Sequence, residues 1–181
     1  MPYAKMNQEI IIIDDGSTDG SYSILKNSEF IKLIKNKINY GKGYSIRKGL
    51  KMARNDKIIL FDGDMELDPK EIDLLMILDC NKRNALGLRY KKINPLESIW
   101  AFGNYFFTTL FNCIYGTKIS DVLCCAKAFY KSDINTKSLK STGFDIDIEL
   151  LKIIISNNDK IHPVTLTYKR RKSIDGKKIN F

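Results

Sequence analysis

Along the chain, short unbroken apolar runs alternate with longer stretches in which apolar residues recur every three or four positions. The first run is four isoleucines, Ile10 to Ile13, stopped by Asp14, Asp15 and Gly16. A strand that is apolar on both faces belongs in a parallel sheet covered by helices. Comparable runs predict strands near 9–14, 30–34, 57–62, 85–89, 122–130 and 161–168. Helical spacing predicts helices near 20–27, 41–54, 69–81, 98–115 and 145–156. In the second of these, Ile46, Leu50 and Ala53 form the apolar stripe and Arg47, Lys51 and Arg54 the stripe beside it. Strands and helices alternate early in the chain. That order predicts an α/β fold with a mostly parallel sheet flanked by helices. No repeat or low-complexity linker interrupts it, so residues 1–181 read as a single domain.

The polar residues that end the strands carry the candidate chemistry, because ligands of such sheets sit beyond the carboxyl ends of the strands. Asp14 and Asp15 end the first strand, although Asp-Asp-Gly-Ser is also ordinary turn and cap chemistry. The third strand runs into "FDGDMELDP". Strand alternation sends Asp62 and Asp64 to one side. Two carboxylates so placed repel unless a positive charge lies between them, and a divalent cation held by hard oxygen ligands meets that need. Asp68, Pro69 and Glu71 have a sufficient reason in the capping of the next helix. In "NYGKGYS", Gly41 and Gly43 bracket Lys42 at a helix start, where backbone can approach a ligand and the helix dipole favours anions. The spacing is not that of a Walker loop.

Composition narrows the choice of partner. The net charge is +9 over 181 residues. One basic cluster is Lys42, Arg47, Lys48, Lys51 and Arg54; another runs from Lys169 to Lys178 with Asp175 as its only acid. Such clusters favour anionic partners: a phosphorylated small molecule, an anionic membrane surface or nucleic acid. The basic clusters carry little aromatic interleaving and no nucleic-acid-binding motif, so nucleic acid is not expected as a partner and a basic nucleic-acid-binding module is the remoter alternative. Four cysteines without paired metal spacing and a lone His162 argue against a zinc site or a histidine triad, and fit a reduced, cytosolic compartment. Residues 98–116 carry no charge, but Asn104, Thr108, Thr109 and Asn112 dilute them. They read as an interfacial or acceptor-facing helix rather than a membrane span.

Taken together, "IIIDDGSTDGS", "NYGKGYSIRKGLKMA", "IILFDGDMELDP", "GTKISDVLCCAKAFYK", "GFDIDIELL" and "VTLTYKRR" resemble, in this order, the family 2 glycosyltransferases of GT-A fold. The likeness is strongest to the dolichol-phosphate mannosyltransferase and polyprenyl-phosphate sugar transferase branch. The resemblance implies a Rossmann-like GT-A sheet and an inverting, metal-dependent transfer of sugar from a nucleotide-sugar to an acceptor, a polyprenyl phosphate. It implies a peripheral position at the cytosolic face of a membrane. Asp14, Asp15, Gly41, Lys42, Asp62 and Arg89 would bind the nucleotide-sugar. Asp62, Asp64 and Glu66 would hold Mg²⁺ or Mn²⁺. Asp121 would stand near the acceptor, and Arg170 and Arg171 would contact phosphates, these three forming the expected catalytic set. Where the branch has "GFRAFRR" this chain has "CCAKAFYK", with Lys127 in place of an arginine. The family's first strand would precede "EIIIIDDGS", and only nine residues precede Ile10. The expectation is therefore an open strand edge that leads to self-association or is completed by another chain. A nucleotide-sugar-binding subunit dependent on a partner is the alternative function.

Overall fold

The structure, a computed structural model, describes residues 8–157 and 160–171. In chain order the elements are β1 (Ile11–Asp14), α1 (Ser21–Lys26), β2 (Lys32–Lys35), α2 (Lys42–Met52) and β3 (Lys57–Leu60). A 3₁₀ turn, Pro69–Glu71, leads into α3 (Ile72–Leu75), followed by β4 (Asn84–Leu88), α4 (Ile99–Tyr115), β5 (Lys127–Tyr130), α5 (Ile146–Ser156) and β6 (Pro163–Thr165). Two compact units share these elements: Met1–Asp56 with Lys131–Ile153, and Lys57–Tyr130 with Ile154–Phe181.

In the first unit β1 and β2 pair in parallel, from Ile11 opposite Lys32 to Asp14 opposite Lys35. Helix α2 packs on β1 where Gly49 admits the side chain of Ile13. Paired with β2 alone among the described strands, Ile11, Ile12 and Ile13 are half-buried rather than buried on both faces. The glycines of "NYGKGYS" have a packing reason. A Cβ at Gly41 or Gly43 would run into the carbonyl oxygens of Thr142 and Ser141 respectively, and Gly41 also holds a positive φ of 94°. The amides of Gly43 and Tyr44 donate to Thr142 O at 2.7 and 3.2 Å, so the start of α2 is bound to backbone rather than open to an anion. Glu149 of α5 fixes that backbone in turn, accepting from the amides of Lys140 and Ser141.

The second unit holds a four-stranded sheet in the order β3-β5-β4-β6. β4 and β6 are parallel, whereas β5 runs antiparallel to both β3 and β4. The α/β class and the GT-A fold hold. The four-stranded sheet is mixed, and the antiparallel course of β5 is not readable in the sequence because apolar alternation is blind to strand direction. Its core gathers Leu67, Leu75, Leu78, Ala85, Cys124, Ala126, Ala128 and Leu166. Three predicted elements are much shorter than expected, among them the strand read over 161–168, which is Pro163–Thr165. Of the run 122–130 only Lys127–Tyr130 form the strand, with Ala126 O still accepting from Gly87 N, while at its start the Asp121 carboxylate is bonded to Arg89 and the Val122 amide faces Thr108 Oγ1. The helix expected over 69–81 stops at Leu75, and Asp79 then binds the amides of Asn81 and Lys82 in a turn. Lys127 is fully buried in β5 and donates to the Cys124 carbonyl.

Helix α4 turns polar side chains inward and most of its aromatic ones outward. Its buried positions are Asn104, Thr108 and Phe111. Asn104 bonds Asp121, and Asn112 receives Thr117 and Ile119 and donates to Ile119 O. Its outer side exposes Ile99, Phe102, Tyr105, Phe106, Leu110 and Ile114. Ser98 caps the helix by accepting from Ala101 N, and Gly116 ends it in the left-handed conformation. No helix among the described residues is long and apolar enough to cross a membrane.

Candidate functional site

The carboxyl end of β1 separates the two adjacent aspartates into different tasks. Asp14 is 6% exposed; its Oδ1 accepts from Ser17 N at 2.9 Å, while its Oδ2 is buried with no hydrogen-bond partner. A buried carboxylate oxygen left unpaired is costly, which makes it a candidate ligand contact. Asp15, by contrast, is occupied. Its Oδ1 accepts from Asn36 Nδ2 and Tyr40 N, and its Oδ2 from Gly41 N at 2.8 Å. Asn36, buried, also bonds Ser45 and receives Lys48 Nζ. Asp15 therefore holds the loop from Asn36 to Gly41 against the end of β1. Lys42 at the start of α2 donates to Asp147 Oδ2 at 2.8 Å.

In the second unit β3 runs into the acid loop, Asp62 to Asp68. Met65 takes a left-handed φ of 63° at its apex, a strained position for a residue with a Cβ. Asp64 Oδ1 accepts from Glu66 N at 3.0 Å, which orients the carboxylate. Its Oδ2 receives Arg171 Nη2 at 3.1 Å. Glu66 is bound to the same C-terminal segment: Tyr168 Oη donates to its Oε2 at 2.9 Å and Arg171 N to its Oε1 at 3.2 Å. Lys169 N donates to the Glu66 carbonyl and Leu67 bridges Tyr168, so residues 168–171 lie along the acid loop. Burial first, then Tyr90 and Glu66, push the Tyr168 phenol far above the ordinary tyrosine range, so it remains a donor. Among the described residues no three Asp, Glu, His or Cys side chains converge closely enough, as they stand, to hold a metal ion. The donor chemistry nevertheless fits one: the oxygens are hard carboxylates, and a cation, the Arg171 guanidinium, already balances Asp64 and Glu66.

Asp121 is fully buried. Arg89 grips it with a two-pronged contact, Nε to Oδ2 and Nη2 to Oδ1, both 2.8 Å. The Arg89 amide and Asn104 Nδ2 add two more donors. Four donors on one carboxylate make it a support for Arg89. Burial works against the Arg89 charge, but Asp121 more than offsets it and holds the guanidinium above its ordinary value. The rings of Tyr90 and Tyr168 lie 5.7 and 5.5 Å from the guanidinium carbon. Arg170 diverges from Arg171: its Nη1 donates to Ser98 Oγ at 3.3 Å and its guanidinium lies 5.9 Å from the Trp100 ring.

The sequence-predicted residues thus fall into four places: Asp14, Asp15, Gly41 and Lys42 in the first unit; Asp62, Asp64, Glu66 and Arg171 around the acid loop; Arg89 with Asp121; and Arg170 apart, by Ser98 and Trp100. The rest of the predicted basic tail, Lys172 to Lys178, lies outside the described residues. Sequence reasoning missed Asn36, Tyr168, Asn104 and Thr108. Asn104 and Thr108 were visible as polar interruptions of an apolar helix; Asn36 and Tyr168 acquire their roles only from partners distant in sequence.

Residues 4–136 match the family described as Glycosyl transferase family 2. The chain is 27% identical to dolichyl-phosphate beta-glucosyltransferase of Dictyostelium discoideum, over 97% of this chain and 58% of that protein. It is 28% identical to undecaprenyl-phosphate 4-deoxy-4-formamido-L-arabinose transferase of Pseudomonas savastanoi, over 70% of this chain and 39% of that protein. Its fold matches glucosyl-3-phosphoglycerate synthase of Mycobacterium tuberculosis in complex with Mn²⁺, uridine-diphosphate-glucose and glycerol 3-phosphate, with a TM-score of 0.68 and 16% identity over 93% of this chain and 63% of that one. The chain spans less than two thirds of the length of each of these proteins.

Proposed function

Because this chain belongs to glycosyl transferase family 2, we propose that it transfers a sugar from a nucleotide-sugar to a polyprenyl phosphate with the help of a divalent cation, Mg²⁺ or Mn²⁺. The observation that carries the reading is the acid loop: Asp62 and Asp64 at the carboxyl end of β3, with an arginine balancing Asp64 and Glu66. The named relatives act on dolichyl and undecaprenyl phosphates, which supports the acceptor. The Mn²⁺ and uridine-diphosphate-glucose bound to the structural neighbour support the donor and the cation.

In this reading Asp14 Oδ2 accepts a hydroxyl or N–H of the nucleoside, and Asp15 keeps the loop from Asn36 to Gly41 in place to flank it. Asp62 and Asp64 hold the cation, which when bound neutralises charge on the departing diphosphate. Arg89 offers its remaining guanidinium edge to a phosphate, aimed by Asp121. Asp121 orients and does not remove a proton: its oxygens already accept from four donors, and an acceptor phosphate ionised at neutral pH needs no general base. The exposed apolar side of α4, in a chain of net charge +9, suits a peripheral position on an anionic membrane surface.

The test is binding of a panel of nucleoside diphosphates with and without Mn²⁺. One nucleoside diphosphate should bind in a metal-dependent way, and Asp64→Ala should weaken that binding at least tenfold while leaving the melting curve unchanged. Binding that is indifferent to both metal and Asp64 would overturn the reading.

A further inference from the structure

Arg171 sits where a cation is required. Its Nη2 lies 3.1 Å from Asp64 Oδ2 and its Nε 3.8 Å from Glu66 Oε1. The second distance is too long for a hydrogen bond, and the buried Nε has no acceptor. Its neighbour Tyr168 is fastened to Glu66 from the other side, and Lys169 N to the Glu66 carbonyl, so the backbone delivers Arg171 to this place. The guanidinium is thus close to two carboxylates but incompletely bonded by them. A doubly charged phosphate group would satisfy its planar fork better than Asp64 and Glu66 do.

Resting on the reading of Asp62 and Asp64 as holders of a divalent cation, we propose that Arg171 is the built-in counter-cation of the acid loop and makes metal binding conditional on a nucleoside diphosphate. A metal ion and the guanidinium compete for the same Asp64 oxygen and repel each other at that distance. Metal alone must displace Arg171 with nothing to receive it. A nucleoside diphosphate draws Arg171 onto its phosphates and frees Asp64 Oδ2 for the metal. Donor and cation therefore enter together, and the chain does not hold a cation between turnovers. Arg171 acts here as a residue that sets the order of binding, separate from any contact it makes later with the departing phosphates.

The experiment measures Mn²⁺ binding to the full chain by the electron paramagnetic resonance signal of free Mn²⁺, with no nucleotide present. Arg171→Met removes the charge at nearly constant volume and should bind Mn²⁺ alone about tenfold more tightly than the natural chain, a factor within the usual range for coupling between two ligands. Arg171→Gln should show the same gain and carries the test if Arg171→Met fails to fold. Arg171→Lys keeps the charge and should stay near the natural affinity. Nucleoside diphosphate binding in the presence of Mn²⁺ should weaken in the Met and Gln variants. Equal Mn²⁺ affinity in the natural chain and both neutral variants overturns the inference and leaves the assignment of Asp64 standing, provided Asp64→Ala loses Mn²⁺. If no Asp64-dependent Mn²⁺ binding is found even with nucleoside diphosphate present, the metal reading falls and this proposal falls with it.

Discussion

At the residue scale, neighbouring carboxylates are distinguished by what already binds them. Asp14 keeps an unpaired buried oxygen, whereas Asp15 and Asp121 spend theirs on the protein itself. The expected consequences are opposite. Asp121→Ala leaves the Arg89 guanidinium without its counter-charge, and removal of one partner from a buried pair costs about 3–5 kcal/mol. Arg89 retains some solvent access, so the loss expected in urea unfolding is about 3 kcal/mol. Asp14→Asn keeps the acceptor for Ser17 N and should change stability by less than about 1 kcal/mol, while weakening nucleoside diphosphate binding at least tenfold. A destabilised Asp14→Asn with unaltered binding would show that Asp14 serves the turn alone. Arg170 and Arg171 make the same point: adjacent in sequence, they bind different elements.

At the element scale, α4 departs most from the usual rule for surface helices, which bury their apolar stripe. Here the polar side chains of Asn104, Thr108 and Asn112 face inward because Asp121, Val122 and Ile119 give them partners, and the aromatic side is left outside. A contiguous exposed apolar side marks an interaction surface. The expectation is that the chain sediments with vesicles containing anionic lipid and that this falls as salt rises. Replacing Phe102 and Phe106 with Ser removes two aromatic anchors, each worth about 1.5–3 kcal/mol when fully buried. That should cut vesicle binding at least tenfold without lowering the melting temperature. Equal sedimentation of the natural chain and the double variant would remove α4 from the membrane reading.

At the scale of the whole molecule, ligands that bind only the folded chain stabilise it by mass action. A nucleoside diphosphate with Mn²⁺ at about 100 times its dissociation constant contributes about 2.7 kcal/mol. For a chain of 181 residues this corresponds to a rise of about 5–10 °C in melting temperature. The rise should vanish when a chelator is added, and Mn²⁺ without nucleotide should produce little of it. A full shift with the nucleotide in chelator would show that the basic residues bind the phosphates without a metal. Among the described residues it is Arg171 that balances the acid loop, through Asp64 and Glu66.

The sequence by itself determined the α/β class, the place of each of the six strands and the position of the carboxylates that end β1 and β3. These follow from local rules: apolar run length, helical spacing, and turn residues at the ends of elements. Asp62 and Asp64 were legible because two acids follow an apolar run ahead of the helix cap, whereas Asp68 caps the 3₁₀ turn and Glu71 lies in its first turn. The antiparallel course of β5 was not legible, since an apolar run reads alike in both directions. Nor was the packing reason for Gly41 and Gly43, which depends on backbone about one hundred residues further along the chain. Which of Asp14 and Asp15 keeps an unpaired oxygen, what holds Asp121 and what balances Asp64 were decided by partners brought close only by folding: Asn36, Arg89 and Arg171. Sequence fixes which groups can ionise, but only tertiary structure determines which of their oxygens remain unpaired.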